Sequence, residues 1–204
     1  MAKLDSQKSN FVVVGAWNPA IIQPEWLRKE FPEVVPETIG IEIIGPPISI
    51  RFDIGDFFLE PLNGRLIFSA KEVNEKTLDR ISELSNGIAD RLMYTPVSAA
   101  GCNFCFSLES KEKFCHDELE EDGNTKDLAD ILAGSIIVSR SIQHTYSLDD
   151  HNVNIFYDHK GNEKALRINF EYQSPQTAMT EASNMLQKNF ETALKLSNQL
   201  ITKT

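Results

Sequence analysis

Cysteine, histidine and arginine are the side chains best able to hold a metal, trade a proton or grip an anion, and here they fall in three places. Cys102 and Cys105 stand three apart, and Cys115-His116 follows ten residues on. Thiolates and an imidazole at such spacing are a zinc donor set. Two cysteines three apart reach one ion only where the backbone turns between them. The run "VSAAGCNFCFSL" reads instead as a strand, with Cys102, Phe104, Phe106 and Leu108 on one face and Cys105 on the other. No glycine or proline between the two cysteines makes the turn, so the expectation is no metal and a buried Cys102 that packs as a small hydrophobe.

The second place is "GSIIVSRSIQHTYSL". Alternation puts Arg140 and His144 on the same face as Ile136, Val138, Ile142, Tyr146 and Leu148, opposite Ser139, Ser141, Gln143, Thr145 and Ser147. An arginine and a histidine on an apolar face are costly unless paired or wet. Two arrangements satisfy that rule. The strand outruns its helix cover and leaves them at a wet end, or Arg140, His144 and Tyr146 line a pocket for an anionic ligand. The wet end is the simpler expectation.

The third place groups His151 and His159 with Asp149, Asp150 and Asp158 at strand termini. A metal or acid–base cluster is conceivable there, but turn chemistry accounts for the same residues. Asp53 and Asp56 flank Gly55 and read as turn residues rather than a catalytic carboxylate pair. Nucleophile elbow, phosphate loop, dinucleotide fingerprint and HExxH are all absent. No catalytic residue and no cofactor are assigned.

Both tryptophans, Trp17 and Trp26, lie in "FVVVGAWNPAIIQPEWLRKEFP" beside prolines. Either they pack against the sheet, or they form an aromatic patch for a partner, with Asn18-Pro19 fixing the chain next to Trp17.

The elements that must position these residues follow from periodicity. Residues 1–10 have none and read as a flexible tail. "FVVVG" is a short strand, and Pro24 suits the first position of a short helix. Ile39 to Lys71 reads as strands: Ile48, Ile50, Phe52 and Ile54 alternate with Ser49, Arg51 and Asp53, a buried face and a wet one. Pro46-Pro47 marks a strand end, and Asn63-Gly64 a tight hairpin. Asn74 caps a helix with Leu78, Ile81, Leu84, Ile88 and Leu92 on one stripe. Two further strands, "HNVNIFYD" and "KALRINFEYQ", join through "HKGN". Ser174-Pro175 opens the last helix, with Met179, Ala182, Leu186, Phe190, Ala193, Ser197 and Leu200 inward.

This divides the chain into a first half, 11–108, an acidic connector, 109–127, and a second half, 128–204, packed as one domain. The connector carries eight acids against three lysines, half of the net charge of −10, and reads as solvated. Each half reads as strand-strand-strand-helix. The expected fold is α+β: a largely antiparallel, curved sheet with helices on one face. That order resembles the saddle-shaped TATA-binding-protein-like arrangement, and the resemblance implies a fold and no function.

Twenty basic residues against thirty acidic ones oppose the field a phosphate-backbone binder needs, so nucleic acid is not the expected partner. Three cysteines, with no charged start before an apolar run, point to the cytoplasm. No apolar run reaches the ~20 residues of a membrane helix. The expectation is a non-catalytic protein-interaction module, meeting a protein partner or its own copy through the polar face of Ser139, Ser141, Gln143 and Thr145 or through a sheet edge. Two rivals are a small-molecule binder or enzyme with a pocket between sheet and helices, and a chaperone-like or toxin-neutralising partner of a basic client.

Overall fold

Val13 and Phe11 point into the core from a strand whose other face carries Asn10, Val12 and Val14, and this alternation sets the pattern of the whole sheet. The computed structural model describes residues 3–45, 48–109, 112–115, 139–161, 163–175 and 177–203, apart from the side chains of residues 140, 202 and 203. In chain order its elements are β1 (Lys3–Leu4), β2 (Asn10–Gly15), α1 (Pro24–Glu30), β3 (Gly40–Ile44), β4 (Ser49–Asp53), β5 (Phe57–Leu62), β6 (Arg65–Ala70), α2 (Glu75–Arg91) and β7 (Val97–Ser107). There follow β8 (Glu112–Phe114), β9 (Ser139–Ser147), β10 (Asn152–Lys160), β11 (Glu163–Tyr172), α3 (Ala178–Asn184), α4 (Leu186–Leu200) and β12 (Ile201–Lys203).

The sheet is open, curved and antiparallel, in the order β3-β4-β5-β6-β2-β7-β11-β10-β9, with β1 also paired to β7. A second, two-stranded sheet joins β8 to β12. Read outward from the centre, the order is β2-β6-β5-β4-β3 on one side and β7-β11-β10-β9 on the other. Each side has an inner strand and a meander that ends in helix, of four strands on the first side, β3-β4-β5-β6, and of three on the second, β9-β10-β11. The expected strand-strand-strand-helix units are present as β4-β5-β6-α2 and β9-β10-β11-α3. Their boundary differs from 108. Residues 97–107 form β7, which pairs with β11 and opens the second unit, so the repeat of topology changes over between α2 and β7.

Local chemistry explains the elements. Asn63-Gly64 closes a two-residue hairpin between Leu62 and Arg65, with Gly64 at φ +87°. The Asn74 side chain accepts from the Thr77 N–H at 3.0 Å and caps α2. Pro24 begins α1. Gly87 lies inside α2 because Phe31 crosses there: a Cβ would sit 2.6 Å from the Phe31 ring. The helices cover one sheet face, where Phe11, Phe57, Phe68, Cys102, Phe104, Ile168, Phe170 and Tyr172 meet Leu78, Ile81, Leu84, Ala182 and Leu186. Ser85 and Ser183 hydroxyls, 2.7 Å apart, mark the close contact of α2 with α3.

Four expectations need correction. Residues 3–10 are not a loose tail: Lys3–Leu4 pairs with β7, the Asp5 N–H donates to the Cys105 carbonyl, and Ser9 is buried. The connector begins packed, with Glu112 and Phe114 buried and Phe114 edge-on to Tyr157 at 4.6 Å; residues 116–138, including His116, Ile136 and Val138, lie outside the described residues. The last helix is two, broken at Met185, and starts at Ala178, whose N–H donates to the Ser174 carbonyl rather than being capped by the serine side chain. Finally, Ile48 and Ile50 share a face with buried Phe52 and Ile54 but are themselves exposed, because the β3–β4 end reaches past the helix cover.

Candidate functional site

The face of the sheet that the described helices leave open is where polar strand positions collect, and it carries one continuous structure. Asn10 on β2, Asn103 on β7, Asn169 on β11, Asn154 on β10 and Thr145 on β9 stand directly opposite one another in successive registers. Because directly opposed residues of antiparallel strands point to the same side, their side chains meet in a row across five strands. The Thr145 hydroxyl donates to Asn154 Oδ1 at 2.8 Å, and Asn154 Nδ2 to Asn169 Oδ1 at 2.9 Å. Asn169 Nδ2 donates to Asn103 Oδ1 at 3.0 Å, and Asn103 Nδ2 to Asn10 Oδ1 at 2.8 Å. Every link runs the same way, from the β9 edge toward the centre. Aligned amide dipoles in such a chain strengthen one another.

Each primary amide offers two N–H donors and two acceptor lone pairs. In the row Asn103 and Asn169 each donate once and accept once. Asn154 also donates to Glu171 Oε2 at 3.3 Å. Asn154 is itself buried, and Asn10, Asn103 and Asn169 are half-buried, at a spacing set by the ~4.8 Å between strands. Gly101 keeps the row clear: a Cβ there would lie 3.0 Å from Asn169 Nδ2.

The residues expected to meet a partner divide between this face and the core. Ser139, Ser141, Gln143 and Thr145 are exposed, and the latter three stand beside Asp158, Phe156 and Asn154 of β10. Ser141 Oγ donates to Asp158 Oδ1 at 2.6 Å, and the Arg167 guanidinium lies 4.1 Å over the Phe156 ring. The tryptophans are elsewhere. Trp17 is only 4 % exposed, and its indole N–H donates to the Val13 carbonyl at 3.1 Å, so it packs and offers no ring to a partner. Trp26 is half-buried, edge-on to Phe31 at 5.4 Å.

Of the second set, His144 and Tyr146 share the helix-side face with Val153, Ile155 and Tyr157, as alternation requires. The Arg140 side chain lies outside the described residues. His144 and Tyr146 are exposed, His144 edge-on to the Tyr157 ring at 5.9 Å. What wets them is lateral position. β9 is the outermost strand of the described sheet, while α3 and α4 lie over β7 and β11. The wet location expected at a strand end is therefore a sheet edge.

His151 stacks on Tyr172 with ring centres 4.9 Å apart, and Nδ1 stands 2.6 Å from Asp150 Oδ1. The hydrogen bond with His151 holds the Asp150 carboxyl below the usual carboxylate range. An open cleft of about 340 Å³ runs beside this pair, lined by Ser147, Asp149, Asn152, Glu171 and Gln173. The Leu148 N–H donates to the His151 carbonyl, so the aspartates sit in a turn. Among the described residues no three His, Cys, Asp or Glu side chains converge as metal ligands. Cys102 lies on the helix side near Asn189, and Cys105 on the other side near the Lys8 carbonyl.

Sequence reasoning placed Thr145 on a polar strand face but did not find the row. Its signal was present: asparagine is depleted from strands, yet Asn10, Asn103, Asn154 and Asn169 all occupy strand positions of the same parity as the exposed set. Registers between distant strands were needed to join them. No family model, curated protein or solved structure matches the chain.

Proposed function

We propose that the chain is a protein-interaction module that receives a protein partner on the open polar face of its sheet, along the row Asn10, Asn103, Asn169, Asn154 and Thr145. The row is the observation that carries this reading. Solvation alone needs polar side chains on such a face, and lysine or glutamate serve that purpose; four asparagines tied into one directional chain are a fixed pattern of donors and acceptors. Rigidity matters because a prearranged polar surface loses little entropy on binding. The exposed Ser141, Gln143 and Thr145 continue the pattern to the sheet margin.

A photo-crosslinking residue at Gln143, compared with one at exposed Lys76 on α2, tests the proposal in cells that make the full chain. Adducts to a discrete protein from position 143, lost when Thr145→Lys or Asn152→Lys adds bulk and charge to the face, are the expected outcome. Adducts from position 76 alone, or adducts at 143 indifferent to those changes, would overturn it. The variants should keep the fold, since Thr145 is exposed and neither change enters the helix-side core.

A further inference from the structure

The dipeptide Asn-Gly occurs twice in the sequence, as Asn63-Gly64 and as Asn86-Gly87. In it the side-chain amide carbon of asparagine and the backbone nitrogen of glycine can close a succinimide ring, and glycine puts no side chain in the way. The two sites share one chemistry. Only their surroundings differ.

Asn63-Gly64 is open. Asn63, Gly64 and Arg65 are all exposed, and a Cβ on Gly64 would meet nothing within 4 Å. The hairpin pairs Leu62 with Arg65, which leaves the two turn residues outside the ladder. Neither the Gly64 N–H nor the Asn63 side chain bonds to a described residue. Nucleophile and electrophile are both unengaged, and nothing packed on Gly64 opposes the rotation about the Asn63 backbone that brings them together. Asn86-Gly87 is closed. The Asn86 Nδ2 donates to Asn184 Oδ1 at 2.9 Å, and Asn86 Oδ1 is shut off from solvent. The Gly87 N–H lies inside α2, where the helical ladder claims it, beneath the Phe31 ring.

We infer that Asn63 is a site of spontaneous modification, at which the β5–β6 turn deamidates while Asn86 is spared. The Gly64 nitrogen attacks Asn63 Cγ. A Cγ–N bond forms, the Cγ–Nδ2 bond breaks, and the amide proton of Gly64 leaves with the side-chain nitrogen as ammonia. Water then opens the ring. Addition at Cγ restores the backbone and leaves aspartate; addition at the main-chain carbon routes the backbone through Cβ and Cγ and leaves isoaspartate. Nothing is oxidised or reduced, and water is the only co-reactant. Either product adds one negative charge. Isoaspartate also adds a methylene to the backbone of a two-residue turn, whose geometry is fixed by the Leu62–Arg65 pair. The disturbance reaches β2, because the Gly64 carbonyl accepts from the Gly15 N–H at 3.0 Å, at the point where the β2–β7 register shifts.

Tryptic mapping of the folded chain, aged at mildly alkaline pH, tests this. Cleavage after Arg51 and Arg65 releases a peptide whose only asparagine is Asn63, and cleavage after Arg80 and Arg91 one whose only asparagine is Asn86. The first should gain the mass of amide-to-acid conversion, as aspartate and isoaspartate, at least ~10-fold faster than the second, since Asn86 reacts only when α2 opens locally. In urea the two rates should converge. Asn63→Gln, which cannot close the same ring, should abolish conversion of the first peptide and leave the circular dichroism spectrum unchanged. A first peptide that stays intact in the folded chain, or two peptides that convert at equal rates there, would overturn the inference.

Discussion

Three cysteines in one chain end in three environments. Cys102 is fully buried among the helices, and burial pushes its thiol up to about 12 despite the hydrogen bond from Asn189. Cys105, on the opposite side of the same strand beneath Ser9 and Lys8, is pushed up to about 11, again by burial first. Cys115 is exposed. Since the thiolate is the reacting form, a colorimetric thiol assay on native protein at pH 8 should count one fast group and two that appear only on unfolding. Cys115→Ser should remove the fast one. A second fast thiol would mean that β1 and the Asp5–Ser9 turn open readily. The asparagine row belongs to this scale too: each amide is ordinary, and its meaning comes from the two it touches.

At the scale of elements, Gly87 shows a helix deferring to a neighbour. Alanine is the better helix former by about 1 kcal/mol, yet its methyl group would have to displace the Phe31 ring, which is itself held edge-on by Trp26. Overpacking of this kind costs about 1–3 kcal/mol. Gly87→Ala is therefore expected to lower stability by about 1 kcal/mol net in urea denaturation. A stabilised variant would show that Phe31 swings away freely and that α1 is loosely held. The two-residue hairpin at Asn63-Gly64 and the Asn74 cap are elements of the other kind, complete in their own short sequences. The β3–β4 hairpin was legible only in part: its alternation was plain, but that the helices stop at Phe52 was not.

Across the whole molecule, ion pairs fasten the edge of the sheet to its body. Lys71, at the end of β6, holds Asp53 of β4 at 2.7 Å, and Arg80 of α2 bonds Asp56. Burial by itself would raise Asp53, but the Lys71 hydrogen bond, the Gly55 N–H and the charges of Lys71 and Arg51 together hold it below the usual range. A depressed carboxylate stabilises the fold fully above its unfolded value near 4 and loses that contribution as pH falls through the lower folded value. Asp53→Asn should thus be less stable than wild type at pH 7, with the gap closing below about pH 4 in thermal melts. A gap that stays constant with pH would remove the ion pair from the account.

What the amino-acid sequence determined by itself was everything that depends on near neighbours: strands from alternation, the Asn63-Gly64 turn, the Asn74 cap, the stripe of α2, and the mixed α+β class with helices after strands. Those features rest on backbone preferences and on side chains two to four residues apart, which a single stretch of chain contains in full. Tertiary structure decided which strands became neighbours. Pairing β2 with β7 and β7 with β11 turned scattered asparagines into one row, moved β7 into the second unit, and left β3 and β9 outermost among the described strands. It also drew residues 3–10 into the sheet and carried the isoleucines of the β3–β4 end beyond the helices. The physical reason is that register and cover are properties of pairs of distant segments, set by which packing buries the most apolar surface, and no local pattern encodes the partner.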